Sequence, residues 1–98
     1  MKRVCIQYTI QPDVDLDELK HAIAEFVAGI SAHHSKHRYA SFQHTEDSRR
    51  FLHIGEFVEE AQPAFQTEPF FIRFTTYLRE RCATGPEVSG LDRVASTY

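Results

Sequence analysis

His53 is the residue of this chain best suited to moving a proton. It lies in a β-rich segment, residues 50–58, whose alternation places it on one face with Phe51, Gly55 and Phe57. A neutral imidazole on an apolar face can take a proton from a phenol or from an activated C–H group. The structural alternative is a core histidine that is hydrogen-bonded to a neighbour. We treat His53 as the candidate catalytic base.

Two tyrosines are candidates for orienting a ligand that carries a carbonyl or phenol group. Tyr8 lies on the apolar face of the first predicted strand, and Tyr77 lies in the apolar stripe of the last predicted helix. A buried tyrosine hydroxyl needs a hydrogen-bond partner, whereas a tyrosine at the rim of a site keeps its hydroxyl in water. The phenylalanines that are candidates for pocket walls, and equally for ordinary core packing, are Phe42, Phe57, Phe70 and Phe74.

The histidine-rich run at residues 33–37 suggests metal ligation. His33 and His37 are four residues apart and can present two imidazoles on one helix face, but no third ligand accompanies them. The run falls at the predicted C-terminal end of a helix, where protonated histidine is favoured by the helix dipole. The sequence has no Gly-rich phosphate loop and no GxSxG motif. It therefore predicts neither a metal site nor a bound cofactor.

The composition predicts a single domain over residues 1–98. Hydrophobic residues make up 42% of the chain, and 11 Lys plus Arg against 14 Asp plus Glu give a net charge of −3. An acidic chain is a poor partner for nucleic acid or an anionic membrane. No apolar run is long enough to span a bilayer, and the first residues turn polar too early for a signal peptide. We expect a cytoplasmic protein.

The elements that position these residues follow from periodicity. Strands are predicted where apolar and polar residues alternate, over residues 3–11, 38–45, 50–58 and 88–95. Helices are predicted where apolar residues recur at helical spacing, over about 16–34, 60–66 and 68–82. Asp15 and Thr67 are expected at the helix starts, and Gly85-Pro86 is expected to break the chain. This order predicts an α+β fold of the ferredoxin-like βαββαβ type, an antiparallel four-stranded sheet with both helices on one face.

The pairing of the two central strands decides which side chains share a face. With Thr45 opposite Arg50, the pairs that share a face are Ala40 with Gly55, Phe42 with His53 and His44 with Phe51. Two small residues opposite each other leave room for a ligand, unless helix side chains fill it. The other face is also too apolar for open solvent, which favours a homodimer formed sheet against sheet. A slip by one residue would exchange the faces of one strand.

Four segments carry a family resemblance. They are Val4 to Pro12, Arg38 to Gln43, Phe51 to Phe57 and Glu68 to Phe74. In order and spacing they resemble the antibiotic biosynthesis monooxygenase-like superfamily of dimeric α+β barrels, over nearly the whole chain. The resemblance implies a homodimer with a pocket between the sheet and helices of each subunit. It also implies one of the family's activities: cofactor-independent oxidation of phenolic polyketides, oxidation of quinols, or haem degradation.

The chain departs from the family at its polar positions. Haem degraders of this type rely on an Asn, a Trp and a His on the second main helix, whereas this chain has no Asn or Trp and has Phe70 or Phe74 at the His position. Many relatives also carry a Glu in the third strand and His residues near the start of that helix. The corresponding positions here are Gly55, Phe65 and Phe70. These differences disfavour haem degradation and indicate a more apolar pocket.

The sequence favours a cofactor-independent monooxygenase acting on an aromatic, quinol-like or polyketide-like small molecule. In that chemistry an electron-rich substrate anion itself reacts with O₂, so the protein must deprotonate, orient and desolvate it. His53 would be the base, and Tyr8 and Tyr77 would orient the substrate. Two alternatives stay open: a non-catalytic dimeric module that binds a hydrophobic small molecule, and an isomerase or cyclase that uses the same pocket.

Overall fold

The fold was established from a computed structural model that describes residues 2–33, 36–58 and 67–98. The strands are β1 (Lys2–Ile10), β2 (Arg38–Gln43), β3 (Arg50–Phe57) and β4 (Cys82–Leu91), and the helices are α1 (Leu16–His33) and α2 (Pro69–Arg81). The strands form one antiparallel sheet in the order β2-β3-β1-β4. The predicted ferredoxin-like α+β fold is confirmed. The helical piece predicted at 60–66 lies outside the described residues.

The core lies between the helices and one face of the sheet. Alternate residues of the strands and every third or fourth residue of the helices meet there, as period-2 and period-3.6 patterns require. The buried apolar side chains of this cluster are Val4, Tyr8, Ile10, Leu19, Ile23, Phe26, Ile30, Phe51, Phe57, Phe74 and Leu78. In the part of the chain that the structure describes, no helix is long and apolar enough to cross a membrane.

The two helices begin at different kinds of cap. At the start of α1 the Asp15 carboxylate accepts the backbone N–H groups of Asp17 at 2.9 Å and Glu18 at 3.3 Å, which satisfies two amide donors of the first turn. The N-cap of α2 is Glu68 rather than the predicted Thr67, and Pro69 follows it. Proline fits this first helical position because its missing N–H would have no partner there.

The strand predicted over residues 88–95 is wrong in its bounds. Strand β4 begins at Cys82, directly after α2, and runs through Gly85-Pro86 to Leu91 instead of starting at Val88. The pairing with β1 shifts between Gln7 and Thr9, so the Gly-Pro pair is accommodated in a bulge. Gly85 has φ +83, and a Cβ there would lie 2.7 Å from the Gln7 carbonyl oxygen. Glycine therefore allows β4 to stay beside β1 at this point.

The predicted register between β2 and β3 is wrong by one residue. Ser41, not Phe42, lies opposite His53, and the last backbone contact of the hairpin joins the His44 N–H to the Arg50 carbonyl at 2.9 Å. The turn takes one more residue than expected because Asp47 organises it. Its carbonyl accepts the Arg50 N–H at 3.1 Å and its carboxylate accepts the Arg49 N–H at 3.0 Å. The faces of β2 are therefore exchanged: Ala40, Phe42 and His44 move to the open face of the sheet, and Tyr39, Ser41 and Gln43 move to the helix face.

Candidate functional site

His53 lies at the centre of the core between two tyrosine hydroxyls. Its side chain is 1% exposed. The Tyr8 hydroxyl oxygen is 2.7 Å from Nε2, and the Tyr39 hydroxyl oxygen is 2.7 Å from Nδ1. Three neighbouring strands, β1, β3 and β2, supply one member each. We call Tyr8, His53 and Tyr39 the Tyr-His-Tyr chain.

Gly55 makes room for this arrangement. Tyr39 lies opposite Gly55 in the sheet, diagonal to His53. A Cβ built on Gly55 would lie 3.0 Å from Cδ2 of Tyr39 and 2.7 Å from the Phe57 ring. The missing side chain lets the Tyr39 ring cross the sheet surface toward the imidazole. The predicted pair of small residues was Ala40 with Gly55. In the structure Tyr39 lies opposite Gly55 instead, and its ring occupies the space above the glycine, as close packing of a core requires.

Burial sets the protonation states of the Tyr-His-Tyr chain. Desolvation lowers the pKa of His53 to about 4, so the imidazole is neutral at pH 7. Desolvation also raises the pKa of both Tyr8 and Tyr39 above the ordinary tyrosine value, so both hydroxyls are protonated. A neutral imidazole has one N–H and one bare nitrogen, so one tyrosine donates to the ring and the other accepts from it. The accepting tyrosine keeps its own O–H proton for a further acceptor.

Aromatic rings pack around the Tyr-His-Tyr chain on the helix side. Phe74 of α2 stacks on Phe26 of α1 at 4.2 Å between centroids, and the His53 ring lies 6.3 Å from Phe74. On the strand side Phe51 stacks on Tyr8 at 5.6 Å. This apolar shell removes water from around the imidazole and is the cause of its lowered pKa.

A cavity of about 220 Å³ lies between the two helices, outside this shell. Its walls are Ala22, Phe26, Phe70, Phe74 and Tyr77, and its charged residues are Glu25 and Arg73. Phe74 lines the cavity and lies beside the His53 ring, and Phe26 lines it while stacking on Phe74 and meeting Tyr39 edge-on, so these two rings lie between the cavity and the Tyr-His-Tyr chain. We call this space the interhelix cavity.

A larger cleft of about 360 Å³ lies at the end of the sheet near the β2-β3 turn and the β4 bulge. Open-face residues such as Phe42, Leu52 and Glu87 line it, and so do Tyr8 and Phe51, whose side chains belong to the core on the helix side. The imidazole of His53 projects to the opposite side of the sheet. Size alone therefore does not make this cleft the reaction site.

The chain is similar in structure to several solved proteins. A crystal structure named antibiotic biosynthesis monooxygenase matches with a TM-score of 0.81 at 20% identity, over 97% of this chain and 100% of that one. A variant of SnoaB, a cofactor-independent oxygenase from Streptomyces nogalater, matches at 0.80 and 14% identity, over 98% and 95%. The chain has the antibiotic biosynthesis monooxygenase fold. A protein from Pseudomonas aeruginosa matches at 0.79 and 21% identity, over 96% and 94%. No family model and no curated protein matches the sequence.

Within this monooxygenase fold the structure brings together part of the predicted site. His53 and Tyr8 are in contact, and Phe74 packs beside them. Phe57 is buried in the same core, and Phe70 lines the interhelix cavity. The roles proposed for these residues in binding or catalysis stay predictions.

Two predicted site residues lie elsewhere. Phe42 is on the open face and 51% exposed, because of the corrected register. Tyr77 lines the interhelix cavity but does not reach His53: its hydroxyl donates to Glu18 Oε1 at 3.4 Å, and its ring lies 3.6 Å from the Arg81 guanidinium carbon. Phe65 lies outside the described residues.

Sequence reasoning missed Tyr39 and Phe26. The predicted register puts Ala40 and Phe42 on the helix face and therefore Tyr39 on the open face. The signal for the correct face is the alternation of Tyr39, Ser41 and Gln43, together with a turn led by Asp47 that takes one more residue. Periodicity places Phe26 in the apolar stripe of α1 without indicating its partners. Its stacking on Phe74 follows from how the two helices meet, which periodicity does not specify.

The histidine run does not assemble a metal site in the part of the chain that is described. His33 is exposed and stacks on Phe70 at 5.8 Å between centroids. His37 is buried, accepts the Val58 N–H through Nδ1 at 3.2 Å and lies edge-on to Phe57. No group of three potential ligands lies together among residues 2–33, 36–58 and 67–98.

Proposed function

We propose that the protein is a cofactor-independent monooxygenase of small aromatic molecules, in which the Tyr-His-Tyr chain handles the proton of the reaction. The observation that carries this proposal is the buried contact of His53 with two tyrosine hydroxyls at 2.7 Å each. A neutral imidazole joined to a tyrosine hydroxyl is a proton acceptor with a relay already aligned. The oxygenase named among the structures of this fold supports the same reaction class.

The reaction balances without a cofactor for a substrate that oxidises at a CH₂ group. The substrate proton moves to a tyrosine oxygen while that tyrosine's own proton moves to the bare nitrogen of His53. The substrate carbanion gives an electron to O₂, and the two radicals combine to form a C–O bond. The resulting peroxide anion takes the proton back through the same relay. Loss of water then breaks the O–O bond and leaves a carbonyl, so CH₂ plus O₂ gives C=O plus H₂O.

The burial of His53 suits this chemistry in one respect and limits it in another. The low pKa keeps the imidazole neutral and able to accept a proton at pH 7. It also makes the imidazolium more acidic than an ordinary histidine, so the proton stays on His53 only while the substrate anion lies beside it. The Coulomb attraction between these two charges is stronger in an apolar site than in water, and it offsets part of the cost of removing both from water.

The substrate would enter through the interhelix cavity. Phe74 and Phe26 stand between the cavity and His53, so rotation of these two rings would complete the site. Phe70 and Tyr77 would then hold the outer part of the substrate. Exclusion of bulk water by the same rings protects a reactive anion before O₂ adds.

We further propose that two copies associate through the open faces of their sheets, in the cytoplasm. The apolar side chains that register places on this face are Cys5, Ala40, Phe42, Leu52, Ile54 and Leu91. The face also carries both signs of charge, with Arg3 paired to Glu56 at 3.0 Å and with Arg50 and Glu87 at the cleft. A two-fold dimer buries the same face of both copies, so apolar area together with charges of both signs on one face supports this mode of association. Free thiols at Cys5 and Cys82 are typical of a reducing compartment.

The second candidate function is a non-catalytic module that binds a hydrophobic small molecule. The observation that favours it is the packing around His53: both ring nitrogens have hydrogen-bond partners, and the rings of Phe26 and Phe74 close the core above it. In this alternative the Tyr-His-Tyr chain is structural, and the interhelix cavity alone takes the ligand.

Oxygen uptake separates the two candidates. The test is an oxygen-electrode screen of phenols, hydroquinones and anthrones with the unmodified chain and with His53→Gln and His44→Gln. His44 is an exposed histidine beside the β2-β3 turn that does not line the interhelix cavity, so its variant is the matched control. Catalysis predicts uptake that His53→Gln removes and His44→Gln retains. Binding of the same compounds without uptake, or uptake that His53→Gln leaves unchanged, would contradict the proposed catalytic role.

A further inference from the structure

We infer that the interhelix cavity selects a one- or two-ring aromatic anion, with its rings among Phe26, Phe70 and Phe74 and its negative charge beside Arg73. The inference deepens the proposed function, on which it rests for the cavity's place in the reaction. Because it concerns which ligands bind, it is tested by binding measurements, separately from oxygen uptake.

The walls of the cavity favour a planar aromatic ligand. Phe26 lies at the centre of the ring cluster, stacked on Phe74 at 4.2 Å and tilted to Phe70 at 5.9 Å between centroids. Ala22 is the small wall residue and leaves the space between these rings and Tyr77. Ring faces and edges presented together favour stacked and edge-to-face contacts, which an aromatic ligand makes and an aliphatic one does not.

The volume sets an upper size. The interhelix cavity measures about 220 Å³. Sites for drug-sized ligands usually measure roughly 300–1,000 Å³, whereas an apolar cavity of about 150 Å³ is large enough for benzene. The space therefore fits a substituted single ring or two fused rings. A skeleton of three or four fused rings requires the helices themselves to move apart.

The charges at the cavity favour an anion. Arg73 has no hydrogen bond or ion pair with any other residue in the described ranges, and its side chain borders the cavity. The acidic residue on the same cavity, Glu25, lies 3.0 Å from His21 Nε2, a contact that offsets its charge only when His21 is protonated, so the attraction for an anion comes from Arg73 alone. A carboxylate or phenolate at the mouth therefore meets an uncommitted guanidinium, and the ligand's rings extend inward. Because Arg73 is exposed, the gain is modest and falls with salt.

Titration calorimetry at low ionic strength with four probes tests the inference. The probes are benzoate, 2-naphthoate, its neutral match 2-naphthamide, and the larger anthracene-2-carboxylate. We expect 2-naphthoate to bind about two- to fivefold more tightly than 2-naphthamide, the range of an exposed ion pair. Half-molar salt should remove that difference, and anthracene-2-carboxylate should bind more weakly than 2-naphthoate.

Two arginine variants locate the charge. Arg73→Gln should reduce 2-naphthoate affinity to that of the amide and leave amide affinity unchanged. Arg79→Gln is the matched control, because Arg79 is exposed on the same helix but does not line the cavity. It should retain the preference for the acid.

Each contrary result overturns a stated part of the inference. Equal affinity for acid and amide, or a preference that survives Arg73→Gln, would overturn the assignment of Arg73. Tighter binding of the three-ring acid would overturn the size limit, and no binding by any probe would overturn the site. Anion binding without oxygen uptake by any substrate would overturn the proposed oxygenase function alone. Oxygen uptake without anion selectivity would overturn this inference alone.

Discussion

The Tyr8 hydroxyl oxygen lies 2.7 Å from Nε2 of His53 inside a core that is otherwise apolar around the imidazole. Tyr39 makes the matching contact to Nδ1 from the other neighbouring strand. Three strands are thereby joined by side-chain hydrogen bonds as well as by their backbone ladders. A buried polar group with every nitrogen paired is stabilising only while it stays neutral, because protonation would place an uncompensated charge in the core.

The folded state should lose stability as the pH falls from about 7 to 4, and His53 should account for part of that loss. The pKa of His53 is 6.5 when unfolded and about 4 when folded, so between these values the unfolded chain binds more protons. The contribution is fully present above pH 6.5 and decreases toward pH 4 by roughly 3 kcal/mol. Urea denaturation at a series of pH values measures it.

The variant His53→Gln isolates this contribution from other titrating groups. It should be less stable at pH 7 but lose less stability than the unmodified chain between pH 6.5 and 4. The control His44→Gln, at an exposed histidine with no carboxylate partner in the described residues, should keep the larger pH dependence of the unmodified chain. Parallel pH profiles for the unmodified chain and His53→Gln would show that His53 is not held neutral by burial.

Substitution of Gly55 by alanine should destabilise the protein by about 1–3 kcal/mol, the range of an overpacked core. The added Cβ would meet the Phe57 ring at 2.7 Å and Tyr39 at 3.0 Å, and a shift of Tyr39 would lengthen its contact with His53. The matched control is Gly90→Ala. Gly90 and Gly55 both lie opposite Val4, one on each neighbouring strand, but nothing lies within 4 Å of a Cβ on Gly90. Thermal melts should show a loss only for Gly55→Ala, and equal effects would argue against close packing at Gly55.

The sequence was sufficient for the order of elements and for the placement of His53 and Tyr8 on the helix face. Both predictions depend on periodicity within one segment, such as the alternation of β3 or the apolar stripe of α1. A long regular pattern is enough to show which side of its own strand or helix is buried. The start of β4 was missed because Gly85-Pro86 usually interrupts a strand, and here a bulge opposite Tyr8 retains it.

The β2 residue that contacts His53 could not be predicted from the periodicity of one segment. Whether Tyr39 or Phe42 faces the helices depends on one residue in the turn, and both alternations are partly apolar, so hydrophobicity did not discriminate between them. The deciding contacts are the two hydrogen bonds of Asp47 in the turn. The separation of Tyr77 from His53 depends likewise on the packing of α2 against α1, which brings the Tyr77 hydroxyl to Glu18 at the surface.

Replacement of Phe42 by serine should weaken self-association if the open face is the dimer interface. Removing a large aromatic side chain from the centre of an apolar interface typically costs more than 1 kcal/mol of association free energy. Ile72→Ser is the matched control, because Ile72 is 52% exposed against 51% for Phe42 but lies on α2, on the other side of the molecule. Sedimentation velocity over a concentration series should show a weaker dimer for Phe42→Ser alone. A monomer for the unmodified chain at micromolar concentration would contradict the proposed dimer.

Removal of either tyrosine hydroxyl from the Tyr-His-Tyr chain should cost about 1–3 kcal/mol, because it leaves a nitrogen of His53 without a partner in the core. Tyr8→Phe and Tyr39→Phe should each show this loss in urea denaturation. The control Tyr77→Phe should cost less than about 0.5 kcal/mol, since its contact with Glu18 is long and exposed.

The ring nitrogens of His53 report the direction of the hydrogen bonds. In ¹⁵N NMR at pH 7 the unmodified chain should show one protonated and one bare nitrogen on this ring, because the neutral imidazole donates to one tyrosine and accepts from the other. If catalysis uses the relay, oxygen uptake should fall most in the variant that lacks the tyrosine donating to the bare nitrogen. A doubly protonated ring at pH 7 would contradict both the neutral imidazole and the relay built on it.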